Sequence, residues 1–149
     1  MKAILQRVRR AKVKIEDQIV GEIGQGLLVL LGVGKGDSDS EAARLLEKII
    51  HLRIFDDNQG KMNLSLLEIG GEFMVISQFT LYADCRKGRR PSFTDAAPPA
   101  EAKALYETFL TLAKTKGIKV ASGTFQALME VEFINQGPVT ICLDTAKDF

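Results

Sequence analysis

The residues best suited to chemistry lie together, between positions 77 and 94. Ser77, Gln78 and Thr80 offer hydroxyl and amide groups within four positions, and Arg86, Lys87, Arg89 and Arg90 place four cations within five. Hydroxyl and amide groups orient a small polar substrate, and Arg and Lys side by side suit phosphate oxygens. The pairing fits a site for a small group carried on a polyanion. The basic cluster also reads as a mobile, solvated loop, and the residues alone leave both readings open. A Ser77 or Thr80 nucleophile would need an adjacent base. The only histidine, His51, falls about 180° around its helix from the apolar face of Ala42, Leu45, Leu46 and Ile49. It is read as a solvated surface residue, so the usual hydrolase triad is not expected.

These groups need an element to hold them. Residues 73–76, Phe-Met-Val-Ile, form a short apolar run without Gly or Pro, which predicts a buried strand delivering Ser77 at its C-terminal end. Upstream, residues 2–9 and 11–16 are rich in Val, Ile and Leu with alternating polar positions. Residues 18–23 and 27–33 continue the pattern, punctuated by Gly21, Gly24 and Gly26. Antiparallel strands joined by short turns are expected. Ser38 and Glu41 form a capping box, and the apolar face that follows predicts a helix over about residues 38–53. Residues 62–69 read as irregular or a short turn, before a strand over 72–78. Pro98 and Pro99 open a second helix, with Leu105, Phe109 and Leu112 on its buried face and Gly117 at its C-terminal cap. Met129, Val131 and Phe133 alternate with Glu130 and Glu132, then residues 135–138 read as a turn, and Val139, Ile141 and Leu143 alternate again. The expected fold is a single α/β domain over residues 1–149, mainly antiparallel sheet with two main helices.

Several classes of function are read as absent. The segment Gly32-Val33-Gly34-Lys35-Gly36-Asp37-Ser38 lies between a strand and a helix, but Lys35 is followed by Gly36, so the phosphate-loop pattern fails. The dinucleotide pattern fails as well, because Asp37 occupies the place of its third Gly. One His and two distant Cys offer no zinc ligand set, and no metal or cofactor is expected. Cys85 and Cys142 are read as reduced thiols. No run approaches the roughly 18 apolar residues of a membrane span. The N-terminal residues turn polar too soon for a signal peptide, so a cytoplasmic protein without membrane contact is expected. The 149-residue chain carries a net charge of +1, so attraction to nucleic acid must come from a local patch.

Three stretches together resemble the D-aminoacyl-tRNA deacylase family. They are Leu5-Gln6-Arg7-Val8, the central segment from Ser77-Gln78-Phe79-Thr80 to Arg86-Lys87-Gly88-Arg89-Arg90-Pro91-Ser92-Phe93, and Asn135-Gln136-Gly137-Pro138-Val139-Thr140. The resemblance spans essentially the whole chain and implies the barrel-like fold of that family. It implies a homodimeric hydrolase that cuts the ester between a D-amino acid and the terminal adenosine of tRNA, and that also clears glycine misloaded on tRNA. By this resemblance, Ser77, Gln78, Phe79 and Thr80 form the catalytic pocket, with Met129 and Phe93 on the substrate. The resemblance further implies that the Gly137-Pro138 peptide is cis and enters the partner's active site, held in orientation by Arg7. Arg86, Lys87, Arg89 and Arg90 bind tRNA. Catalysis is largely main-chain and RNA-assisted, with backbone N–H groups near Gln78 and Phe79 on the oxyanion. One position departs from the family pattern: Gln126 stands where Gly is common. The rival from another class is an RNA-binding module without activity.

Overall fold

The computed structural model describes residues 1–147. Its elements run β1 (Lys2–Ile15), β2 (Gln18–Ile23), β3 (Gly26–Gly32), α1 (Asp39–His51), β4 (Phe55–Asp56), β5 (Met62–Leu64), β6 (Glu72–Ser77), α2 (Pro99–Thr115), β7 (Val120–Ser122) and β8 (Glu130–Asp144), with a 3-10 turn, Phe79–Tyr82, after β6. The long first strand organises the sheet. β8 follows one edge of β1 from Lys2 to Lys14. The other edge is shared, by β3 against residues 2–8 and by β2 against residues 11–15. These three pairings are antiparallel, as expected. β3 with β6 and β6 with β7 are parallel, which the sequence reading did not foresee. The reason is topological: α1 and α2 each sit between consecutive sheet strands, and a helical crossover returns the chain in the same direction.

Residue patterning explains the layers. In β3, Leu27, Val29 and Leu31 face one cluster while Leu28 faces another, and in β6 Phe73 and Val75 oppose Met74 and Ile76 in the same way. Strands buried on both faces read as continuous apolar runs. The larger cluster lies under α1 and α2, with Ala42, Leu45, Leu46, Ile49, Leu105 and Phe109 fully or nearly buried. The smaller fills the inside of the curling sheet, around Val8, Val13, Leu28 and Met74. Closure is nearly complete, since a Cβ on Gly21 of β2 would stand 2.9 Å from the Ser122 carbonyl oxygen of β7. The result is a barrel-like mixed sheet with two helices on one side. No helix among the described residues is long and apolar enough to cross a membrane.

Three local expectations need correction. The segments 2–9 and 11–16 join into one strand over residues 2–15, because no Gly or Pro interrupts Arg9-Arg10 and both edges of the segment find partners. Residues 62–64 are a strand paired with β4, where irregular chain was expected. Residues 135–138 do not turn between two hairpin strands. They belong to β8, which pairs with β1 on both sides of them: Thr140 opposes Gln6, Asn135 opposes Val8, and residues 136–139 bulge out opposite Arg7 alone. The alternation either side of Gly137-Pro138 was read correctly, but a bulge and a turn leave the same signature.

Candidate active site

β6 ends at Ser77, and the Gln78 N–H still extends the sheet by donating to the Leu31 carbonyl at 2.8 Å. The chain then bends into the 3-10 turn. Tyr82 anchors that turn from below, packed so closely on Gly34 that a Cβ there would stand 2.5 Å from the phenol oxygen. The Tyr82 hydroxyl donates to Asp37 Oδ2 at 3.3 Å, and the same oxygen accepts the Gly34 N–H at 2.6 Å. Burial, with Asp37 beside it, pushes the Tyr82 phenol well above its usual pKa. The β3–α1 loop and the strand end are thereby tied together.

Beside them opens a cavity of about 810 Å³. Ser77, Gln78 and Phe79 form one wall, Phe93 and Thr94 a second, and Phe125 through Met129 a third. Ile76, Ala102 and Tyr106 supply apolar floor, and Tyr106 donates to the Val75 carbonyl at 2.8 Å. Burial pushes the Tyr106 phenol up to about 12, so it stays a neutral donor. Phe79 and Phe93 meet edge-on, ring centroids 5.0 Å apart. Gln126 takes a left-handed backbone, φ 65°, which costs a non-glycine residue about 1–2 kcal/mol. A Gly at this position would avoid that cost. No carboxylate or imidazole is among the residues lining the cavity, and the sole charged one is Lys35.

The residues singled out in the sequence divide into three groups. Ser77, Gln78, Phe79, Phe93 and Met129 come together around the cavity. Thr80 does not line it; its exposed hydroxyl accepts a hydrogen bond from Gln78 Nε2. Gln78 N–H is committed to β3, which removes it as an oxyanion donor. That leaves the Phe79 and Thr80 N–H groups in the first turn of the 3-10 segment, ahead of Leu81, whose N–H is the first to find an acceptor within it. Arg7, Gly137 and Pro138 lie elsewhere on the same chain. Buried Arg7 donates from Nε to the Gln136 carbonyl at 2.8 Å, and from a terminal nitrogen to the Ile54 carbonyl at 2.8 Å and to Asp56 Oδ1 at 3.1 Å. Gly137-Pro138, a cis peptide, is exposed on the β8 bulge. The basic loop borders the turn but not the cavity, closed at its base by Asp84 and Ser92 exchanging backbone hydrogen bonds. Within it Arg86 is already engaged, with two nitrogens on the two Asp84 oxygens at 2.8 and 2.7 Å. This holds the Asp84 carboxyl down at about 2.

His51 is exposed and close to Glu47 on the α1 surface, as expected. Sequence reasoning missed Lys35, Tyr106, Phe125 and Leu128 as lining residues. Lys35 had a signal, a glycine-flanked cation after a strand, but the phosphate-loop test discarded it. Leu128 is 94% exposed, an unusual setting for a large aliphatic side chain on a cavity wall.

Comparison with known proteins bears on the same region. A family model described as D-Tyr-tRNA(Tyr) deacylase matches residues 4–144. A D-aminoacyl-tRNA deacylase of Thermosipho africanus is 58% identical over 149 residues, covering all of both chains. One from Clostridium botulinum is 57% identical, again over both full lengths. Among solved structures, one described as a c-Myc DNA unwinding element binding protein superposes with a TM-score of 0.91 at 38% identity, covering 97% of this chain and 98% of that one. A probable eukaryotic D-amino acid tRNA deacylase matches with a TM-score of 0.81 at 19% identity, a likeness of fold.

Proposed function

The chain belongs to the D-aminoacyl-tRNA deacylase family, and on that premise we propose that it hydrolyses the ester joining a D-amino acid to the 3′-terminal adenosine of tRNA. Free D-amino acid and intact tRNA are released, which makes the reaction a chiral proofreading step in translation. The carrying observation is the cavity at the end of β6, walled by Ser77, Gln78 and Phe79 and lined by no side-chain acid or imidazole base. Water attacks the ester carbonyl carbon, the bond to the ribose 3′-oxygen breaks, and that oxygen leaves with a proton. Lacking a carboxylate or imidazole base from the wall, the step draws on the vicinal 2′-hydroxyl of the substrate. The Phe79 N–H stabilises the developing oxyanion, where one such donor is worth about 2.7–4 kcal/mol. Ser77 and Gln78 orient the aminoacyl group, Phe93 and Met129 contact it, and Thr80 fixes the Gln78 amide.

Glycyl-tRNA is a second substrate in this reading, since glycine presents no side chain for the site to reject. Chirality is read by Gly137-Pro138 of a second copy of the chain. The exposure of this peptide, its absence from its own chain's cavity wall and the buried Arg7 beneath it all support an outward-facing role. In the homodimer, the Gly137 and Pro138 carbonyls enter the partner's cavity and leave no room for an L side chain. Lys87, Arg89 and Arg90 contact tRNA phosphates, and the protein works in the cytoplasm, where charged tRNA is consumed. Incubation with D-Tyr-tRNA tests the activity: release of free D-tyrosine is expected, whereas binding without release would assign an RNA-binding module.

A further inference from the structure

A cavity of about 810 Å³ lined by apolar groups, backbone and a few amides and hydroxyls holds one charge, and that charge is Lys35. Its backbone is fixed from several sides. Lys35 N–H donates to the Asp95 carbonyl at 3.1 Å, Ala97 N–H donates to the Val33 carbonyl at 3.0 Å, and Gly34 pairs with Ala96 as a bridge. Gly34 is wedged on Tyr82, with its N–H on Asp37. The side chain, in contrast, is exposed, and no carboxylate among the described residues lies within ion-pair distance of its ammonium. Asp37, two residues along the chain, is occupied by the Met1 ammonium at 2.7 Å, by Gly34 N–H and by the Tyr82 hydroxyl. The same rim carries the start of α2 through Pro98 and Pro99, whose helix dipole adds positive potential that Glu101 in the first turn partly offsets.

An unpaired cation on a preorganised stem, at the mouth of an otherwise uncharged cavity, selects a ligand with one negative charge just outside the bound part. We propose that Lys35 binds the phosphodiester on the 5′ side of the substrate's terminal adenosine. This rests on the deacylase reading and deepens it: the cavity takes the aminoacyl ester and nucleoside, and Lys35 takes the first backbone phosphate. The Lys87–Arg90 region lies off the cavity wall and serves phosphates further along the strand. Lys35 is thus a substrate-binding residue that lets the site prefer an ester on a nucleic acid 3′ end over the same ester on a free nucleoside.

Two synthetic substrates isolate the contact: 3′-O-D-tyrosyl adenosine, and the same ester carrying a 5′-methyl phosphodiester. They differ by one negative charge at the predicted place. The wild-type protein should favour the phosphodiester in kcat/KM by at least about tenfold, the size of one charge-assisted hydrogen bond. Lys35→Ala should bring the two substrates to near equality by lowering the rate on the phosphodiester alone. Lys35→Arg should keep the preference and Lys35→Glu should invert it. Equal losses on both substrates in Lys35→Ala, or a preference that survives it, would overturn the assignment while leaving the deacylase reading intact. Wild-type protein that cleaves neither ester nor D-Tyr-tRNA would contradict that reading and this assignment together.

Discussion

Thr80, with Ser77, is a hydroxyl that a sequence reader would choose as a nucleophile, and its surroundings argue otherwise. It is exposed and outside the cavity lining, accepts from Gln78 Nε2, and neither a carboxylate nor an imidazole lines the adjacent cavity to take its proton. Thr80→Ala is therefore expected to lower turnover by about tenfold or less, the loss of one orienting hydrogen bond, and to leave activity measurable. A D-tyrosyl ester trapped on Thr80 and seen by mass spectrometry would contradict this. Arg7 presents the opposite case, a buried charge whose partners are mostly backbone carbonyls. Arg7→Ala leaves the Ile54 carbonyl without its donor and frees the Gln136 carbonyl below the bulge. Chemical denaturation should report a loss of about 1–3 kcal/mol. Arg7→Lys should recover only part of it, since an ammonium cannot reproduce the planar fork. At this scale the sequence was partly legible. Ser77 and Gln78 stood out as polar groups after an apolar run. Tyr106 and Phe125 could not, because an aromatic residue packed in a core and one lining a cavity have the same pattern.

Elements fix which groups are left to bind. The loop of residues 85–91 is stapled at its base by Asp84 and Ser92, and Arg86 spends its guanidinium on Asp84. Only Lys87, Arg89 and Arg90 then remain for phosphates. Replacing Lys87 and Arg89 by Gln should weaken tRNA binding and flatten the plot of log K against log salt by about 0.7–0.9 per lost contact. Arg86→Gln should change the slope by less than either. A slope unmoved by the double replacement would return the loop to the solvated reading. Helix α1 was readable from its capping box and i, i+3, i+4 face. The parallel pairing of β7 was not, since Val120, Ala121 and Ser122 are too few to carry a period. The β8 bulge was misread because strand alternation on both sides of Gly137-Pro138 is indifferent to whether the chain turns back or continues.

For the whole molecule, an exposed Gly137-Pro138 and the cavity at the end of β6 belong to one chain yet do not meet. In the proposed twofold pair of chains, each lends its bulge to the other's cavity. Phe79→Pro removes the proposed oxyanion donor at a first-turn position where proline is tolerated, and should lower kcat by about a hundredfold or more. Co-expression of that chain with one carrying Ala at 137 and 138 should restore one working site per mixed dimer. Mixed dimers as inactive as either parent would end the shared-site idea. The sheet with two helices was legible because patterning sets fold class, while its barrel-like closure and the proposed pairing of bulge and cavity rested on the family resemblance, since residue patterning carries no sign of a second molecule. The central claim, chiral deacylation, is tested most directly by initial rates on D-Tyr-tRNA, L-Tyr-tRNA and Gly-tRNA under the same conditions. Steric exclusion of the L side chain predicts D-Tyr-tRNA and Gly-tRNA cleaved at least about a hundredfold faster than L-Tyr-tRNA, a difference of about 2.7 kcal/mol; equal rates on D-Tyr-tRNA and L-Tyr-tRNA would contradict the account.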